Sequence, residues 1–86
     1  MPRALNVQRT LVPQQERKRY AERLSRRKEY YAGANCRFWA FEEEALPGAF
    51  LEFFEAPDAE TLARAHAAAP DPILDAGRVY IEVELA

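Results

Sequence analysis

The stretch Cys36-Arg37-Phe38-Trp39-Ala40-Phe41-Glu42, the turn Glu43-Glu44-Ala45-Leu46-Pro47-Gly48, and the stretch Ala49-Phe50-Leu51-Glu52-Phe53-Phe54-Glu55 together decide the fold. Both outer segments are rich in aromatic residues and strand-like. The Pro-Gly pair between them is a turn signal. A connection this short makes the two strands an antiparallel hairpin.

Upstream of the hairpin, Gln14 to Tyr31 is rich in Arg, Lys, Glu and Ala, which suit a helix. Tyr20, Leu24 and Tyr31 recur on one face with Ala21 beside them, and Gly33 offers a stop. The rest of that helix is basic: Arg17, Lys18, Arg19, Arg23, Arg26, Arg27 and Lys28. Before it, Leu5 to Val12 alternates like a half-buried strand and ends at Pro13. Downstream, Asp58 is a good N-cap for an alanine-rich helix, with Glu60 in its first turn and Leu62 as its large apolar anchor. Pro70-Asp71-Pro72 ends that helix. Ile73 to Gly77 is a connector whose Ile73 and Leu74 are expected to tuck under the helices. Arg78 to Leu85 alternates strictly and reads as the last strand. The order is β-α-β-β-α-β, a single α+β domain over residues 1–86. It predicts a ferredoxin-like antiparallel sheet with two helices on one face.

A chain of 86 residues buries only roughly 60–65% of its unfolded surface, so its own core is marginal. The single Cys36 allows no internal disulfide, which favours a reducing cytoplasm and stabilisation by oligomerisation. The N-terminus lacks the apolar run of a signal peptide, and no segment approaches a membrane span, so a cytoplasmic protein without membrane association is expected. Residues 1–37 carry a charge of +7 and residues 38–86 carry −9, a polarity that suits pairing across the fold or across a dimer. The basic first helix comes without a nucleic-acid-binding motif, and nucleic acid is not expected as a partner. One His and one Cys give no chelating spacing, and the isolated glycines form no phosphate-cradling loop, so neither metal nor cofactor is expected.

Period two sorts the strand residues into two sets. The aliphatic set Val79, Ile81, Val83 and Leu85 is expected beneath the helices. Leu5, Val7, Leu11, Leu51 and Phe53 would join it, with Cys36, Phe38 and Ala40, although either parity is apolar in that strand. The other face then carries Asn6, Gln8, Thr10, Trp39, Phe41, Phe50, Glu52, Phe54, Tyr80, Glu82 and Glu84. A face with so many aromatic residues is not a solvent face, because monomers rarely expose an apolar patch beyond a few hundred Å². With both helices used on the first face, a second copy of the chain is expected to cover this one.

On these residues the chain resembles the dimeric α/β-barrel superfamily, especially its antibiotic-biosynthesis-monooxygenase-like group. The resemblance rests on the element order, the hairpin Phe38-Trp39-Ala40-Phe41 with Phe50-Leu51-Glu52-Phe53-Phe54, the capped helix Asp58-Ala59-Glu60-Thr61-Leu62 with Ala65-His66, and the terminal strand. It implies two protomers closing a barrel through their sheet faces, and members that include cofactor-free oxygenases of aromatic substrates and haem-degrading enzymes. Against the haem-degrading pattern, Gln8 or Asn6 resembles the strand-one amide and His66 the helix histidine, while Trp39 lies on strand two, away from that pattern's tryptophan.

The expected function is a homodimer binding a small aromatic or apolar molecule, with cofactor-independent oxidation or proton transfer as the activity it could carry. Asn6, Gln8, Trp39, Phe41, Phe50, Phe54, Tyr80 and Glu82 are the expected ligand-binding residues. Glu52 and His66 are the candidate catalytic pair. Glu52 would gain a raised pKa if buried among aromatics, or would instead pair with an Arg such as Arg37 or Arg9. His66 is the single side chain with a near-neutral intrinsic pKa, although a His on the same helical face as Leu62 is more often a satisfied, partly buried side chain. Cys36 reads as an inert core thiol. The competing reading is a non-catalytic interaction module that dimerises through its aromatic sheet face.

Overall fold

A computed structural model of the chain describes residues 2–85. The strands are β1 (Ala4–Leu11), β2 (Arg37–Glu42), β3 (Ala49–Ala56) and β4 (Val79–Ile81). The helices are α1 (Arg17–Gly33), entered through a 3₁₀ turn at Gln14–Glu16, and α2 (Ala59–Ala67). The four strands form one antiparallel sheet in the order β2-β3-β1-β4. The fold is a small α+β domain, consistent with a ferredoxin-like arrangement.

Local chemistry fixes the boundaries. Asp58 caps α2 by accepting a 2.7 Å hydrogen bond from the Thr61 amide. α1 ends through Asn35, whose φ of 62° lies in the left-handed region, and the Cys36 amide then bonds back to Tyr31 O. The helix thus stops at Gly33 as expected, with Asn35 in place of the glycine taking the left-handed conformation. In the β2–β3 turn Gly48 has φ 97°, and a Cβ there would meet Val12 O at 2.9 Å. Only glycine fits.

The last strand is shorter than its sequence alternation. Asn6 pairs with Val79, Leu5 with Tyr80 and Ala4 with Ile81, and the Glu82 amide adds a 2.8 Å bond to Arg3 O. The Arg3 amide does not complete that pair: it donates to the Glu82 side-chain Oε1 at 3.2 Å instead of to the Glu82 backbone oxygen. The ladder stops, and Val83 and Leu85, expected beneath the helices, are 73% and 87% exposed.

Helices and sheet enclose a core of Ala4, Tyr31, Cys36, Phe38, Phe54, Ala56, Leu62 and Ala65. Phe54 lies at its centre, 4.9 Å from the Tyr31 ring and 5.0 Å from the Phe38 ring. The face assignment of β1 and β3 is the reverse of the sequence expectation. The register places Asn6 with Phe54, Gln8 with Glu52 and Thr10 with Phe50, and the buried members of these pairs lie beneath the helices. Leu5, Val7, Leu51 and Phe53 lie on the opposite, helix-free side. Period two separates the two sets but does not say which one the helices cover. The answer comes from α1, whose inward stripe is Tyr20, Arg27 and Tyr31 with Leu24 half-buried. The Arg27 guanidinium and the Tyr20 phenol on that stripe both meet Glu52 of β3, so the polar strand set lies inward and the aliphatic set is left on the open side. For β2 the expected parity holds: Phe38 is buried and Ala40 half-buried beneath the helices, with Trp39 and Phe41 outside. Ile73 packs on the core, whereas Leu74 is exposed.

Candidate functional site

The sheet has two chemically distinct faces, and the expected site residues divide between them. Beneath the helices lies a polar layer. Glu52, with no exposed surface, accepts a 2.8 Å hydrogen bond from Tyr20 Oη on one oxygen and a 2.5 Å bond from Arg27 Nη1 on the other. Burial, and then the bond to Glu52, pushes the Tyr20 phenol well above the ordinary tyrosine range. Phe50 closes one side of this cluster, its ring 4.8 Å from that of Tyr20 and 5.4 Å below the Arg17 guanidinium. Gln8 stands beside Glu52 across the ladder, and Asn6 follows at the next inward position.

His66 belongs to the other end of the layer. Its Nδ1 lies 2.7 Å from Tyr31 Oη, and its ring stands edge-on to those of Tyr31 and Phe54. Burial lowers the imidazole pKa and raises that of the Tyr31 phenol, so both groups are neutral near pH 7. An arrangement in which the phenol donates to Nδ1 puts the imidazole proton on Nε2. That atom is buried without a hydrogen-bond partner, as are Asn6 Oδ1 and Arg27 Nε. Burial likewise pushes the Cys36 thiol up, as befits an inert core group.

The open face is apolar in its middle. Val7, Phe53 and Trp39 form one cross-strand row, and Leu51 and Phe41 continue the next. Trp39 stacks on Phe53 at 6.1 Å, and Phe41 meets Phe53 edge-on at 5.6 Å. Phe41 is 57% exposed and Tyr80 52%. At one end a row of charges borders this surface. Arg3 bonds Glu55 at 2.8 Å and Glu82 at 2.7 Å, and its guanidinium holds the Glu82 carboxyl down at about 2. Between Trp39, Leu5 and Tyr80 on one side and Arg3, Glu55 and Glu82 on the other lies an open groove of about 390 Å³.

Of the expected site residues, Trp39, Phe41 and Tyr80 thus share the open face, with Glu82 at its rim, while Asn6, Gln8, Phe50, Glu52 and Phe54 lie beneath the helices. Glu52 and His66 stand in separate hydrogen-bonded groups rather than side by side. Glu52 does pair with an arginine, and that arginine is Arg27. Arg27 reads in sequence as one of a solvated basic set. The signal that could have singled it out is its spacing, seven residues after Tyr20 and four before Tyr31, on the helix's inward stripe.

Among the described residues no cluster of three or more His, Cys, Asp or Glu side chains could hold a metal ion, and no helix is long and apolar enough to cross a membrane. Set against known proteins, the chain matches no protein-family model, no curated protein and no solved structure.

Proposed function

We propose that the chain works as a homodimer in which two ferredoxin-like protomers close their open sheet faces on each other, a dimeric α/β-barrel arrangement, and that it binds a small aromatic or apolar molecule between them. The observation that carries this reading is the helix-free face, where Val7, Leu51, Phe53, Trp39 and Phe41 form a contiguous apolar surface with no element of the chain above it. A contiguous apolar patch of this kind marks an interface or a ligand groove. Aromatic side chains bring ~150–250 Å² each to such a contact. The groove beside Trp39 and Tyr80 falls within the size range of small-molecule sites and combines apolar walls with a charged edge. A second sheet placed over it would close it. There Arg3 would offer the ligand's polar end a cation, and the ionised Glu82 an acceptor.

Turnover, as cofactor-independent oxidation or proton transfer, would require a group that changes protonation near neutrality. His66 is on the far side of the sheet from the groove, and Glu52 is engaged by Arg27 and Tyr20. That placement favours, as the second reading, a non-catalytic module whose aromatic faces join two protomers.

The single tryptophan makes the test direct. Titration of the protein with 2-naphthol should quench or shift Trp39 emission saturably, and Tyr80→Ala should weaken the response. A dimer whose Trp39 emission is indifferent to the naphthol series would leave the joining role without the ligand.

A further inference from the structure

We infer that the segment from Pro70 to Arg78, which joins α2 to β4, is a displaceable strap seated in a binding site for a small neutral carbonyl compound such as an amide or imide. This site lies beneath the helices, on the opposite side of the sheet from the open groove, and is independent of it.

Three buried side chains reach the strap from the sheet and from α1. Asn6 Nδ2 donates to the carbonyl oxygens of Asp75 at 3.2 Å and Arg78 at 2.8 Å. Arg27 Nη2 donates to Pro72 O at 3.3 Å. Gln8 Oε1 accepts from the Leu74 amide at 2.9 Å. Among the described residues, the side chains of Asn6 and Gln8 make no other hydrogen bonds. What these groups recognise is therefore peptide backbone: three carbonyl oxygens and one N–H. A compound offering carbonyl oxygens and an N–H satisfies the same donors and the same acceptor.

Apart from those four hydrogen bonds, the strap is anchored at one side chain. Ile73 packs on the core, but Leu74 and residues 75–78 are exposed, and the segment has no regular secondary structure. Asp75 sits at φ 52°, in the left-handed region.

Two orphaned atoms point to a ligand beyond the strap. Asn6 Oδ1 and Arg27 Nε are buried without a partner, in side chains that are 0% and 8% exposed. They are one acceptor and one donor that the strap leaves unused, and a buried polar group without a partner calls for an explanation. Charge then sets the ligand class. The Arg27 guanidinium is already balanced by Glu52, so a carboxylate ligand would add an uncompensated buried charge, whereas a neutral carbonyl compound adds none. Space sets the mode of entry. The void at the strap's foot, between Arg27, Tyr30, Tyr31 and Pro70, is about 10 Å³, room for a water at most. A ligand must take the strap's place.

Two-dimensional NMR on the intact chain tests this. N-acetylprolinamide and hydantoin are the neutral probes, and N-acetylproline is the matched anion, each at about 10 mM, where a ligand with Kd ~1 mM is nine-tenths bound. The neutral probes should move the Asn6 and Gln8 side-chain amide resonances saturably and speed Leu74 amide exchange. N-acetylproline should do neither, and Gln8→Leu should abolish the response. Without any probe, the Leu74 amide should exchange at least about tenfold faster than the β3 amides, by local opening. This wild-type comparison holds even if the Gln8 variant fails to fold. Unmoved Asn6 and Gln8 resonances, equal binding of the anion, or a single common exchange rate for Leu74 and β3 would each overturn the proposal.

Discussion

At the scale of single residues, the most consequential side chain is Glu52. An ion pair beneath two helices is a poor stabiliser in itself, because desolvation offsets much of the attraction, but removing one member leaves a bare buried charge. Arg27→Met should therefore cost about 3–5 kcal/mol in urea unfolding. The double variant Arg27→Met/Glu52→Leu should recover most of that loss, and an additive outcome would show that the two groups are not coupled. His66 gives a pH signature. Burial lowers its folded pKa below the unfolded value of about 6.5, so the unfolded chain binds the extra proton first. The contribution is complete above pH ~6.5 and is lost as the pH falls from there through the folded pKa. Between pH 6.5 and 5 the wild type should thus lose more stability than His66→Gln, as followed by thermal melts. Parallel losses would place the titration elsewhere.

At the scale of elements, the two faces of β3 make opposite predictions from adjacent residues. Phe54 is the centre of the core, and Phe54→Ala should destabilise the fold by about 3–5 kcal/mol in the same urea assay. Phe53→Lys, one position earlier, faces the open side and should leave the circular dichroism spectrum intact while disrupting self-association. Had the sequence expectation been right, the two outcomes would be exchanged. The hairpin, both helices, the Asp58 cap and the two central strands were readable from turn chemistry and periodicity alone. The choice of face was not, because Leu5, Val7 and Leu11 alternate with Asn6, Gln8 and Thr10 as they would in a strand with its aliphatic side buried. What reverses the choice is a long-range partner: the polar stripe Tyr20 and Arg27 on α1, which no window within β1 contains. Trp39, Phe41 and Tyr80 were placed correctly because their strands kept the expected parity. The polar layer was legible as a set of residues, and its position was not. The early end of β4 likewise involves a partner some 80 residues away in the chain: the Arg3 amide is taken by the Glu82 side chain instead of its backbone.

At the scale of the whole molecule, the chain buries a polar layer beside its apolar core and carries an apolar surface where nothing of its own covers it. Glu52, Arg27, Asn6 and Gln8 lie within, while Trp39, Phe41 and Leu51 lie without. For a chain of 86 residues with a marginal core, leaving that surface to water would forgo stabilisation of roughly 25 cal/mol per Å² of apolar area. Burying it against a second copy would recover that energy and would join two sheets through the same patch, as two-fold symmetry requires. The charged row of Arg3, Glu55 and Glu82 at its edge would then lie at the polar rim of the interface. The measurement that bears most directly on this is sedimentation equilibrium at micromolar concentration, comparing the wild type with Phe53→Lys. The expected result is a wild-type species of twice the 9.9 kDa chain mass and a folded single chain for the variant. A wild-type protein that sediments as one 9.9 kDa chain throughout that range, its Trp39 emission already that of a water-exposed indole, would contradict the account.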